Sequence, residues 1–201
     1  MVFNYRLGAA FGGLCLAGLL TLGCGPGEDF SLPDCMSNWC TSEDAPEGYY
    51  NTTVHAPESD VFVFFSFADP GEPVSQKRVD KGEWDLGFAR TTIIVNGGVS
   101  GDGGVEVTLL DEAALDDVTA ADVPAEGWFT DTDENDGLAF ERESKWYNYN
   151  FGRHVVEVRP RVYFVRATSG RVYGLELLSY YSQTGESRFP TFRWTALDEA
   201  E

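Results

Sequence analysis

The sequence is poor in the side chains that catalysis draws on. It has two histidines, His55 and His154, about a hundred residues apart, and none of its four cysteines stands out as a free thiol. No G-x-S-x-G, H-E-x-x-H or phosphate-binding glycine loop occurs, so the hydrolase, zinc-protease and nucleotide chemistries those motifs carry lack their residues. Acidic pairs are frequent, but 33 Asp+Glu generate them by chance, and none marks a glycosidase dyad. The sequence therefore points away from an enzyme. Positive charge is scarce too: 14 Lys+Arg leave a formal net charge of −19. Such a surface repels phosphate backbones and disfavours nucleic acid as a partner. Beyond residue 24 no apolar run is long enough to cross a bilayer as a helix.

What the N-terminus does have is an apolar, small-residue stretch over 7–23 preceded by Arg6. That is the layout of a secretory signal peptide; the alternative, an uncleaved anchor helix, is disfavoured by its shortness and glycine content. It runs into Leu20-Thr21-Leu22-Gly23-Cys24, which resembles a bacterial lipoprotein signal with Thr21 where a leucine is usual. In that reading residues 1–23 are removed and Cys24 is lipidated with palmitate-type chains. The protein then meets a membrane through its anchor only, at the outer membrane or cell surface of a Gram-negative bacterium. An ordinary leader ending near a cysteine is the alternative. Residues 24–48 read as a polar tether. Within it Cys35 and Cys40 form a small disulfide loop, in preference to a metal pair, because export favours oxidation and no further ligands lie nearby.

From Tyr49 onward the pattern is strand after strand, enough for a single domain over 49–201. Val61–Phe67 is an apolar, aromatic run that stops at Asp69-Pro70-Gly71. Trp84–Val95 reads as one long strand ending at Asn96-Gly97-Gly98, and Val105–Leu110 as the next. Asp111–Ala121 is the only stretch of helical composition. Further strands are expected at 146–149, 154–158, 162–167, 172–181 and 189–194, with Thr168-Ser169-Gly170 as a hairpin turn. The expected fold is all-β: an antiparallel meander or sandwich-like single domain with at most one short helix.

Two segments carry candidate ligands. Asp131-Thr132-Asp133-Glu134-Asn135-Asp136-Gly137 sets oxygen side chains at alternate positions, as calcium loops do, with Asp131, Asp133 and Asn135 as the donors. The glycine comes one residue late, and Arg142 stands where a bidentate Glu is needed, so a solvated acidic loop is the plainer reading. The second segment is Lys145-Trp146-Tyr147-Asn148-Tyr149-Asn150-Phe151-Gly152-Arg153-His154, in which aromatic strand residues lead through a bend to a histidine. A strand histidine hydrogen-bonded to a neighbour is the plain reading of His154.

The chain resembles the HmuY family of exported haem-binding lipoproteins. The resemblance lies in Trp84-Asp85-Leu86-Gly87-Phe88, in Asn96-Gly97-Gly98-x-Ser100, in Trp146-Tyr147…His154, in the Tyr163…Tyr181 hairpin and in Thr191-Phe192-Arg193-Trp194. It implies an all-β fold and capture of haem, a small ligand, for iron acquisition, with an outer-membrane receptor as a partner. His154 then matches an axial ligand, and Tyr147 and Tyr149 fall in the same segment, as slot residues or a phenolate ligand. The family's second histidine has no counterpart at its usual place; His55 lies in the domain's first strand, and Met36 in the tether. A family member without haem ligands, acting as a surface interaction or adhesion module loaded with calcium at Asp131, Asp133 and Asn135, is the alternative.

Overall fold

A computed structural model describes residues 38–44, 46–133 and 137–197. Eleven strands build three antiparallel sheets among these residues, and no helix reaches seven residues. The strands are β1 (Trp39–Asp44), β2 (Tyr49–Val54), β3 (Val63–Phe65), β4 (Leu86–Ala89), β5 (Thr92–Val95), β6 (Glu106–Asp111), β7 (Tyr147–Asn150), β8 (Val155–Val158), β9 (Arg161–Arg166), β10 (Val172–Tyr181) and β11 (Ser187–Ala196). The large sheet runs β1-β2-β11-β10-β9-β6, the second β3-β4-β5, and the hairpin β7-β8 stands as the third. The fold is all-β, as the spacing of apolar runs predicts. No helix among the described residues is long and apolar enough to cross a membrane.

The main core lies between the two larger sheets. Phe65 and Phe88 reach across to Phe192 at ring distances of 5.2 and 5.3 Å, and Phe67 stacks on Tyr173 at 4.2 Å. Strand alternation explains why β9 is buried along most of its length. Tyr163 and Val165 face this core, while Val162 and Phe164 face a second apolar cluster with Leu115, Val118 and Leu197. Segment 112–123 thus covers the other face of the large sheet. Gly174 makes room for it: a Cβ there would lie 2.7 Å from the Leu115 side chain.

Two local expectations are corrected. Trp84–Val95 is not one strand but a hairpin, β4 and β5 folding back at Arg90-Thr91 with Arg90 at φ 51°. Asp111–Ala121 holds no α-helix; two 3₁₀ turns, Leu115–Asp117 and Ala120–Asp122, are separated by extended Val118 and Thr119. The β-branched pair and the Thr119–Asp122 side-chain bonds restart the chain there. One short helix that composition did not announce, α1 (Gln76–Val79), follows Ser75. The sheet also reaches back into the stretch read as tether, because Trp39 is buried and β1 pairs with β2 from Trp39↔Val54 to Asp44↔Tyr49.

Candidate ligand-binding site

The β7–β8 hairpin grows from a buried root. Trp146 is fully buried, and its indole N–H donates to the Thr91 carbonyl at 2.8 Å. On β8 the Val156 amide donates to the Tyr181 hydroxyl at 2.8 Å, tying the hairpin to β10. The tip closes through Asn150, whose Oδ1 accepts the amides of Gly152 and Arg153, each at 3.1 Å. Arg153 and Glu157 pair across the turn. His154 completes it in the left-handed region, at φ 55°.

This turn brings His154 back beside Tyr149, and the Tyr149 hydroxyl lies 3.2 Å from Nδ1 of the imidazole. Phe151 packs edge-on against Tyr149 with ring centres 5.0 Å apart. Phe151 is 79% exposed and Tyr149 42%, so two aromatic rings and an imidazole face solvent together. In the tautomer whose Nδ1–H donates to Tyr149, the Nε2 lone pair is free to meet a metal. Tyr147 stands apart from this pair. It is half-buried, its hydroxyl 3.5 Å from Thr91 Oγ1 and 3.4 Å from Lys145 Nζ. His55 is engaged elsewhere, stacked on Phe189 at 4.3 Å. Of the sequence candidates, the structure unites His154 and Tyr149 and leaves Tyr147 at the root.

Asp131, the first of the alternative calcium donors, is fully buried: Oδ2 accepts the Val95 amide at 2.9 Å and Oδ1 the Ala139 amide at 2.8 Å. Burial nevertheless lifts its pKa above the ordinary carboxylate value. Asp133 is exposed, and Asn135 lies outside the described residues, as do Cys24, Cys35 and Met36. Cys40 is disulfide-bonded. Among the described residues no three His, Cys, Asp or Glu side chains gather as a metal site.

Two clefts open away from the hairpin. One of about 520 Å³ is lined by Phe64, Trp84 and Ile94 and by the glycine-rich segment 101–103. Its walls are framework: Asn96 donates to the carbonyls of Gly82 and Trp84 and accepts the Gly103 amide. The other, about 330 Å³, lies at Tyr50, Phe67, Tyr173 and Trp194. Sequence reasoning missed the residues at the hairpin's foot, Thr91 and Tyr181. Both act through hydrogen bonds to a distant segment, two at Thr91 and one at Tyr181, which no local pattern announces.

Known proteins share this architecture. A Bacteroides vulgatus protein described as HmuY-like and heme binding superposes with a TM-score of 0.57 at 16% identity, over 81% of this chain and 99% of its own. Apo PinO from Porphyromonas gingivitis gives 0.56 at 16%, over 76% and 98%. The apo HmuY analog of Tannerella forsythia gives 0.54 at 12%, over 81% and 98%. A Bacteroides fragilis protein described as a candidate lipoprotein gives 0.57 at 16%, over 81% and 98%. No curated relative matches the chain. Identities this low speak for the fold alone, but the family model described as HmuY protein matches residues 58–194, more than half the chain, and on that ground the chain belongs to the HmuY family.

Proposed function

We propose that this protein binds haem as cargo, with His154 as the axial ligand and Tyr149 as the residue that orients it. The observation that carries this reading is the 3.2 Å contact between the Tyr149 hydroxyl and His154 Nδ1 at an exposed, aromatic hairpin tip. A macrocycle needs an apolar surface beside its metal ligand, and Tyr149 and Phe151 offer one. The donor set fits one face of the ring. Membership of a family with HmuY-like heme-binding neighbours supports the same cargo. The leader, Cys24 and the likeness to a candidate lipoprotein support export and a lipid anchor at the outer membrane or cell surface, where an outer-membrane receptor would take over the haem. The domain organisation proposed with it is a leader over 1–23, a tether from 24 and a ligand-binding β domain.

The test is a ferric haem titration of the chain carrying Cys24→Ser, followed at the Soret band. A saturable shift is expected, lost or recast in His154→Ala. Tyr149→Phe weakens binding about tenfold, the usual effect of removing the partner that orients a metal-bound histidine. A His154→Ala variant that binds like the parent, with the same spectrum, removes the assignment.

A further inference from the structure

Beside the hairpin stand two arginines without an acidic partner, in a chain where acids outnumber bases 33 to 14. Arg90 occupies the β4–β5 turn and Arg188 the start of β11. Ala56 ties them together: its amide donates to the Arg188 carbonyl at 2.9 Å, and its carbonyl accepts the Arg90 amide at 3.0 Å. The Arg90 guanidinium makes one bond, Nε to the Pro57 carbonyl at 3.0 Å. Ion pairs among the described residues engage Arg78, Lys81, Lys145, Arg153, Arg161, Arg166 and Arg193, and none reaches Arg90 or Arg188. Both side chains lie at exposed positions.

Their location connects them with the candidate site. Thr91, next to Arg90, holds the hairpin root through Trp146 and Tyr147. Tyr180, 7% exposed, feels both arginines: burial raises its pKa, the positive fields of Arg188 and Arg90 act against that rise, and Tyr181 and Tyr147 add to it. The backbone marks the same place. Among the described residues four non-glycines lie at positive φ, and three of them are Arg90, Arg188 and His154. Such conformations persist where surrounding structure enforces them, and they gather at binding sites. Tyr147 and Tyr149 share one face of β7, about 7 Å apart along the strand. A planar ligand lying on that face with its metal at the tip carries its far edge toward the root.

We propose that Arg90 and Arg188 form a carboxylate-binding pair that fixes the acidic edge of the planar ligand whose metal meets His154; this rests on the haem reading above. Guanidinium groups bind carboxylates through charge-assisted, often paired hydrogen bonds. Here they also supply local positive charge that an acidic ligand needs on an otherwise repelling surface.

The experiment compares ferric haem with its dimethyl ester, which lacks free carboxylates. Both are titrated into the parent, Arg90→Gln, Arg188→Gln and the double variant, by tryptophan quenching and at the Soret band. The parent is expected to bind haem more tightly than the ester by about tenfold or more. The double variant loses that preference while its bound Soret spectrum stays the parent's, since ligation by His154 is untouched. Equal binding of acid and ester by the parent overturns the arginine assignment and leaves the haem reading standing. No binding of either form by the parent overturns both. Should a variant unfold, the acid–ester comparison on the parent still decides.

Discussion

Replacing Asp85 by Ala asks whether one buried carboxylate holds the framework together. Asp85 is 1% exposed. Its Oδ2 accepts the Phe67 amide at 2.9 Å and the Ser66 hydroxyl at 3.1 Å; its Oδ1 accepts the Thr168 amide and hydroxyl, each at 2.8 Å. It thereby joins the segment after β3 to the β9–β10 turn, pinning the small sheet to the large one. In Asp85→Ala the two hydroxyls can turn to other partners, but the two amides cannot. An orphaned buried donor costs about 1–3 kcal/mol. Phe67 is buried and bears that cost in full, whereas Thr168 is exposed and water meets part of its need. The expected loss is therefore about 3 kcal/mol, or about 6–12 °C in melting temperature for a domain of this size. Asp85→Asn should cost less, about 1 kcal/mol, because its amide group can face the wetter Thr168 side and leave the oxygen on Phe67. Thermal and urea unfolding read by tryptophan fluorescence give both numbers. An Ala variant within about 0.5 kcal/mol of the parent, the range of ordinary surface changes, refutes the pinning role. An Asn variant as damaged as Ala refutes the reasoning about which amide matters.

Two further predictions concern titration. Burial raises the pKa of Asp131 against the opposing hydrogen bonds from Ala139, Val95 and Ser100, so the folded protein holds this proton to higher pH than the unfolded chain does. Its contribution to stability is full below the ordinary carboxylate value of 3.8 and declines as pH rises through the folded pKa. The stability gap between the parent and Asp131→Asn should narrow from about pH 3 to about pH 7, and a gap that widens contradicts the assignment. Tyr163 is pushed up to about 12, chiefly by burial and despite Arg161 beside it. Its neutral form is favoured by folding, so the stability it contributes is present below 10.0 and lost as pH rises through about 12. An alkaline absorbance titration of the folded protein should show a late tyrosinate step that Tyr163→Phe removes; superimposable curves would count against it.

The fold was legible where periodicity and burial coincide. Val162–Ala167 and Val172–Tyr181 read as strands because their apolar residues match sheet faces covered on both sides. Legibility failed where a turn carried no turn residue. Arg90-Thr91 lies between two apolar stretches, Leu86–Ala89 and Ile93–Val95, with no glycine, proline or asparagine to mark the turn, and a left-handed arginine gives no sign of itself in sequence. It failed again at Trp39–Asp44, a polar strand recognisable only by its pairing with β2. The burial of Asp131 was illegible for a related reason: an acidic stretch reads as a solvated loop, while this carboxylate turns inward onto two amides.

The motifs that carry the family resemblance divide in a way the sequence did not show. In Trp84-Asp85-Leu86-Gly87-Phe88, Leu86 and Phe88 enter the core, and Asp85 pins two sheets. Gly87 keeps open a space where a Cβ would lie 2.8 Å from Ile94. In Asn96-Gly97-Gly98, Asn96 clamps the loop, and a Cβ on Gly97 would lie 2.2 Å from the Val105 carbonyl oxygen. These motifs are framework chemistry, and they would persist under any cargo. His154, Tyr149, Arg90 and Arg188 instead sit on turns and hairpin surfaces, where exchanging a side chain leaves the core untouched. Most of the motifs that carry the family resemblance are thus buried framework, while the residues proposed to meet the ligand lie at exposed positions. The haem proposal is therefore tested by substitutions at the hairpin tip and at Arg90 and Arg188, and substitutions in the framework test the fold instead.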